Sequence, residues 1–177
     1  MTIAKKRLNP IRWLMLGIAA SLLCASGCQK ENATAVPTVA SIEESAQPKL
    51  PVTKLFVGNQ EIDSEVAVTE RQLAKGMMFR KEMGEKEGML FVFSFPHRAS
   101  FYMRNTILPL SCAYIDADGA ILEIHDMKPL EEKPITAATD QIQYVLETAQ
   151  GWFERHQITV GVNVRAQGGS LKATFQR

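Results

Sequence analysis

From Val52 onward, apolar positions recur in short bursts, and most bursts carry the period of two that belongs to strands. "VTKLFVG" and "EIDSEVAVT" predict two strands that turn at Gly58-Asn59. In the second, Ile62, Ser64, Val66 and Val68 share one face, and Asp63 and Glu65 share the other. Thr69 then opens a short helix, because "TERQ" is a capping box with Gln72 reaching back, and Gly76 offers an αL stop. "GMLFVF", residues 88–93, is a continuous apolar run and predicts a strand covered on both faces. In "AYIDADGAI" the pair Asp118-Gly119 predicts a two-residue hairpin turn with positive φ at both positions, or a near variant of it. "QYVLET" reads as a strand, "GWFERH" as one or two helical turns, and "ITVGVNVR" as the final strand. "AQGGSLKATFQR" reads as a polar tail expected to fray. The sum is an α+β, β-rich compact domain: a small barrel, or a strongly coiled antiparallel or mixed sheet, with two short helices.

One burst breaks its own pattern. "FYMRNTILPL", residues 101–110, is apolar except for Arg104-Asn105-Thr106. Strand alternation would set Asn105 beside Phe101 and Met103, with Tyr102, Arg104 and Thr106 on the other face. A buried Asn amide is satisfied by clamping a neighbouring backbone turn, so Asn105 is expected to be buried and bonded to main chain.

Before residue 51 no sustained period exists. "KKRLNPIR" followed by the apolar run Trp13 to Cys24 reads as an export signal, and the run is too short for a comfortable membrane span. Ala25-Ser26-Gly27-Cys28 resembles a bacterial lipobox, although Ala25 stands where Leu is usual. That resemblance implies that Cys28 is acylated and becomes the first residue of the mature protein; an ordinary secretory signal cut nearby is the other reading. Gln29 stands where a retention-type Asp would hold the protein at an inner membrane. The resemblance therefore implies an outer-membrane anchor facing the periplasm. Residues 29–50 are rich in Ala, Ser, Thr, Glu, Gln and Pro and lack aromatics. They read as a disordered tether, with a reach on the order of 25 Å. The expected organisation is a lipoprotein signal peptide over 1–27, the tether over 28–50, one domain over 51–166 and a flexible tail over 167–177.

Charge sharpens this picture. The formal net charge is +1, but Lys5, Lys6, Arg7 and Arg12 all lie in the leader. Without these four, 16 basic residues face 19 acidic ones, which argues against a nucleic-acid partner. Once Cys24 leaves with the leader and Cys28 is lipidated, Cys112 stands alone among apolar neighbours, as a buried inert thiol without an internal disulfide.

"RQLAKGMMFR", "EGMLFVF", "FYMRNTILPL", "AYIDADGAI", "QYVLET" and "GWFERHQITVGVNV" follow one another in an order and spacing that resemble the DUF192 family, over about residues 52–165. The resemblance implies a compact β-rich domain, often secreted, and no settled reaction. Two departures stand out: Gly161-Val162-Asn163-Val164 where members commonly show Gly-Asp, and Ser111 where many have Asp.

Chemistry is sparse. His97, His125 and His156 lie far apart, and no two have metal-ligand spacing. Asp116-Ala117-Asp118-Gly119 lacks the later ligands of a calcium loop. Glu131 and Glu132 read as solvated. No catalytic residue, metal or cofactor is expected. The candidate site is a polar set of Arg71, Arg80, Met103, Asn105, Thr106 and Glu147, in which Glu147 would receive an arginine fork. Two readings of it stand: a network that holds loops together, or a shallow pocket for a small polar ligand such as a sugar. The function expected first is a non-catalytic binding or interaction module at the cell envelope, with a small ligand or envelope protein as partner. The alternative is an envelope hydrolase acting on a glycan or small ester.

Overall fold

The computed structural model describes residues 45–176. The leader, Cys28 and most of the expected tether lie outside the described residues. Ten strands and three short helices follow in the order β1 (Val52–Val57), β2 (Gln60–Ala67), α1 (Glu70–Lys75), β3 (Glu87–His97), β4 (Ser100–Phe101), β5 (Leu110–Ile115), β6 (Ile121–Met127), β7 (Ile135–Thr136), β8 (Ile142–Ala149), α2 (Trp152–Arg155), β9 (Val164–Ala166), β10 (Gly169–Ser170) and α3 (Leu171–Phe175). Eight strands form one mixed sheet in the order β10-β9-β1-β2-β3-β8-β5-β6, and β4 pairs with β7 apart from it. The sheet is not closed into a barrel, since β10 and β6 stand at its two edges. Of the expected architectures, the mixed open sheet is the one found.

Among the described strands only β2 and β3 run parallel. Parallel neighbours need a crossover, and α1 with the turn-rich segment after it supplies one. The capping box of α1 forms as its sequence predicts: Thr69 Oγ1 accepts from Gln72 N–H at 3.3 Å, and Gln72 Oε1 accepts from Thr69 N–H at 3.0 Å. Gly76 ends the helix at φ 44°, ψ −131°, positive φ but outside αL. The crossover then lies on one face of the sheet, and that is where the candidate site forms.

Both sheet faces are buried. One packs Leu55, Ile62, Leu90, Tyr144 and Leu146 against Trp152 and Phe153 of α2 and Leu171 of α3. The other packs Met89, Phe91, Cys112, Tyr114 and Val145 against Met77, Ala99, Met103 and Ala137 of the long connections. Alternation along β8 feeds both: Tyr144 and Leu146 belong to the first cluster, Val145 to the second. The continuous apolar run of β3 likewise divides into Leu90 and Val92 on one side and Met89 and Phe91 on the other.

Three expectations are corrected here. The tail past Ala166 does not fray, because Ser170 caps α3 through Ala173 N–H and Leu171 is fully buried. Among the described residues there are therefore three helices and not the two expected. The tether ends earlier than residue 50: Gln47 donates to the carbonyls of Gln72 and Gly76 at the end of α1, and Leu50 is buried. The turn between β5 and β6 is the near variant of the expected two-residue turn, longer by a few residues. Asp116 N–H bonds Ala120 O at 3.0 Å, Asp116 Oδ1 accepts from Asp118 and Ala120 N–H, and Gly119 alone has positive φ, 91°. A bulge between Tyr114 and Ile115 absorbs the extra length. A Cβ at Gly119 would lie 2.6 Å from Val164 O, so close packing as well as φ requires glycine there. Asn163, at one departure from the family pattern, donates to Asp118 O across this turn.

Between Phe101 and Leu110, "FYMRNTILPL" is not a strand. It turns at Arg104-Asn105, with Asn105 at φ 56°, and Asn105 is exposed rather than buried. Alternation fails because this segment bonds to loops and not to a neighbouring strand: Met103 N–H donates to Glu131 O at 2.7 Å, and Leu130 N–H donates to Thr106 O at 3.0 Å.

Candidate functional site

One row of residues crosses the sheet on the face covered by the connections. Glu65 of β2 is partnered with Met89 of β3, Met89 with Glu147 of β8, and Glu147 with Cys112 of β5. Partnered side chains in adjacent strands point to the same side. The two carboxylates are thus two strand spacings apart, about 10 Å.

Glu65 is saturated. Its Oε2 accepts from Arg80 Nη2 at 2.8 Å and from Leu50 N–H at 2.7 Å. The side chains of the pair are 12% and 14% exposed, so the charges are largely withdrawn from water but matched. Arg80 reaches Glu65 because the chain bends sharply ahead of it. Phe79 stands at φ 62°, its N–H donates to Asn105 O at 2.7 Å, and Arg80 N–H donates to Met77 O at 3.2 Å. Two left-handed residues, Phe79 and Asn105, thus meet through one main-chain bond. Asn is among the residues that tolerate this conformation best. Asn105 therefore serves through its backbone and not through a buried amide.

Arg80 and Glu65 line a cavity of about 770 Å³, walled by Met77, Phe79, Ile107 and Leu130 and rimmed by charges of both signs such as Lys49, Lys81, Asp63 and Glu87. Asn105 also lines it. Arg80 Nε is buried there without a hydrogen-bond partner.

A second cavity of about 390 Å³ lies between the sheet and α1. Glu147, Phe91 and Phe93 reach it from the sheet, Leu73 and Ala74 from the helix, and Phe101, Tyr102 and Thr106 from the loop. Met77 lines both cavities and forms their common wall. Glu147 is 4% exposed, and its Oε2 has no hydrogen-bond partner. Burial pushes its carboxyl up to about 8, so at neutral pH it is mostly protonated. The same burial, with the Glu147 charge added, drives the Cys112 thiol far above its ordinary range, which makes it inert.

The expected site residues are thus divided. Arg80 and Asn105 belong to the larger cavity, and Thr106 and Glu147 to the smaller. Met103 is 2% exposed in the core and lines neither. Arg71 lies exposed on α1, also outside both. The proximity of Arg80 to Asn105 holds. The expected fork from arginine to Glu147 does not: Arg80 takes Glu65, and Met89 separates the two acids. Glu65 was missed although its signal was present, an acid alternating opposite Ile62 and Val66 on a strand. Among the described residues no cluster of three or more His, Cys, Asp or Glu is placed to hold a metal ion.

The architecture matches solved structures. A crystal structure of a protein of unknown function from Novosphingobium aromaticivorans DSM 12444 is 34% identical, with a TM-score of 0.63, covering 70% of this chain and 95% of that one. A protein from Sinorhizobium meliloti 1021, described as a candidate transcription regulator, is 28% identical with a TM-score of 0.64, covering 68% of this chain and 97% of that one. No curated protein matches the chain significantly. The family model described as DUF192, Uncharacterized ACR, matches residues 53–166, which takes in the sheet from the second residue of β1 to the end of β9 and leaves out β10, and the chain belongs to the DUF192 family.

Proposed function

We propose that this protein is a non-catalytic binding module of the cell envelope, held by a lipid on Cys28, that takes a small polar ligand such as a sugar in the larger cavity. The observation that carries the reading is the Arg80 Nε donor, buried and unpartnered beside a cavity of about 770 Å³. A buried donor without an acceptor costs about 1 to 3 kcal/mol, and a ligand oxygen would recover it. The mixed-charge rim suits hydroxyls, and the Phe79 ring offers an apolar wall. A nucleic-acid partner is no part of this reading, since 16 basic residues face 19 acidic ones beyond the leader.

The test is a saturation-transfer NMR screen of mono- and disaccharides against the full chain in mild detergent. Binding that Arg80→Lys abolishes supports the reading, because lysine keeps the charge opposite Glu65 but lacks the fork. Binding that Arg80→Lys leaves intact, or no saccharide bound, refutes it. Cys28→Ser should release the protein from the membrane fraction. The alternative, a hydrolase of glycans or small esters, draws its one support from the protonated carboxyl of Glu147, an acid without an assigned base. Turnover of p-nitrophenyl acetate lost in Glu147→Gln would favour it.

A further inference from the structure

The smaller cavity contains a buried acid that the larger one leaves unused. Glu147 sits in its floor, 4% exposed, with Oε2 unpartnered. No other part of the fold explains that carboxyl. It makes no ion pair, caps no turn, and faces the side where Met89 and Cys112 flank it in the row. A glutamine or leucine would fill the position without the cost of desolvating an ionisable group.

The walls around it are aromatic. Phe91 and Phe101 meet edge to face with ring centroids 4.9 Å apart, and Phe93 meets Phe101 at 6.4 Å. Tyr102 and the thioethers of Met77 and Met78 also line it. Aromatic rings are attracted to cations through their faces and to hydrocarbon through burial. A carboxylate in an aromatic-walled hollow is the complement of a positive head on an apolar body.

We propose that this smaller cavity binds a small organic ammonium ion, such as a primary amine carrying an apolar body, with its head paired to the Glu147 carboxylate and its body against Phe91, Phe93 and Phe101. The site is distinct from the larger cavity and does not rest on ligand binding there.

Binding is coupled to a proton. The free carboxyl is pushed up to about 8 by burial, so below that pH it must give its proton to water as the ammonium enters. The amine is already protonated, so one proton leaves per ligand bound and the bound pair is neutral overall. The groups facing Glu147 from other elements are Cys112 of β5, with Glu70 and Lys75 of α1 and His97 of β3 around the same cavity. Affinity for an amine therefore rises by about tenfold per pH unit below about pH 8 and levels off above it. A neutral ligand held by the protonated carboxyl would show the opposite trend, weakening above about pH 8.

Isothermal titration of the full chain with benzylamine, and with benzyl alcohol as the neutral isostere, tests this. Run at about pH 6 and about pH 7.5 in two buffers of different ionisation enthalpy, benzylamine should bind at least tenfold tighter at the higher pH and release about one proton at the lower. Glu147→Gln should lose the amine while still folding, since glutamine has the shape of the protonated acid. Arg80→Lys should leave the amine affinity unchanged. Benzyl alcohol binding as tightly as benzylamine, an amine affinity flat across that pH range, or amine binding lost in Arg80→Lys would each overturn the assignment. The wild-type slope and proton count decide the matter even if the Gln variant does not fold.

Discussion

Glu65 and Glu147 stand in one row on one face of the sheet, with only Met89 between them in the pairing register. Both are largely hidden from water. Glu65 has the Arg80 guanidinium and a main-chain N–H on the same oxygen, whereas Glu147 has no ion pair. Burial by itself therefore does not decide what an acid becomes; the partner that the connections bring does. The turn at Met77–Arg80 delivers a cation to Glu65 and none to Glu147, so the larger cavity holds a charged, matched pair and the smaller one a neutral acid. A ligand that is polar and uncharged suits the first, and one that supplies its own positive charge suits the second.

The sharpest way to break that comparison is to make Glu147 unable to ionise. Its folded pKa is raised to about 8, so between the ordinary carboxylate range and that value the folded protein holds a proton that the unfolded chain has lost. Stability contributed by the neutral acid is full at low pH and falls through this window by about 1.4 kcal/mol per unit. Glu147→Gln should match the wild type near about pH 4.5 and exceed it by a few kcal/mol near about pH 9, as read by urea unfolding. Parallel pH profiles for the two proteins would show that Glu147 ionises without cost.

The converse change strips Glu65 of its partner. Arg80→Ala should cost about 2 to 3 kcal/mol, less than for a fully buried pair because both side chains retain some exposure to water. Adding Glu65→Gln should restore much of the loss, and a double-mutant cycle measures the coupling. Simple additivity of the two losses would mean that the pair is not the unit described.

The smallest effect concerns Asn105, whose backbone sits at φ 56°. Asn105→Gly should change the melting temperature little, since glycine adopts this conformation freely, and Asn105→Ala should cost up to about 1 kcal/mol. A large loss with glycine would restore a role for the amide side chain and count against the purely backbone role.

These distinctions were unevenly legible. The capping box at Thr69, the two-faced strand β3 and the helical turns of α2 were readable because each depends on neighbours within a few residues. The polar triplet was misread because alternation assumes a strand, and the hydrogen bonds of residues 102–107 go to other loops. The tail was misread because a polar stretch hides one Leu171 with a core to enter.

The sequence by itself determined the family, the two-sided burial of β3 and a candidate set in which Arg71 and Arg80 could each offer a fork to an acid. Which acid Arg80 would take was decided only by tertiary structure. The parallel β2–β3 crossover places the 77–80 turn over Glu65, and pairing register, a long-range property, sets Glu147 one strand beyond Met89. Alternation tells which face a side chain takes along its own strand; it carries no information about which residue of another strand stands beside it.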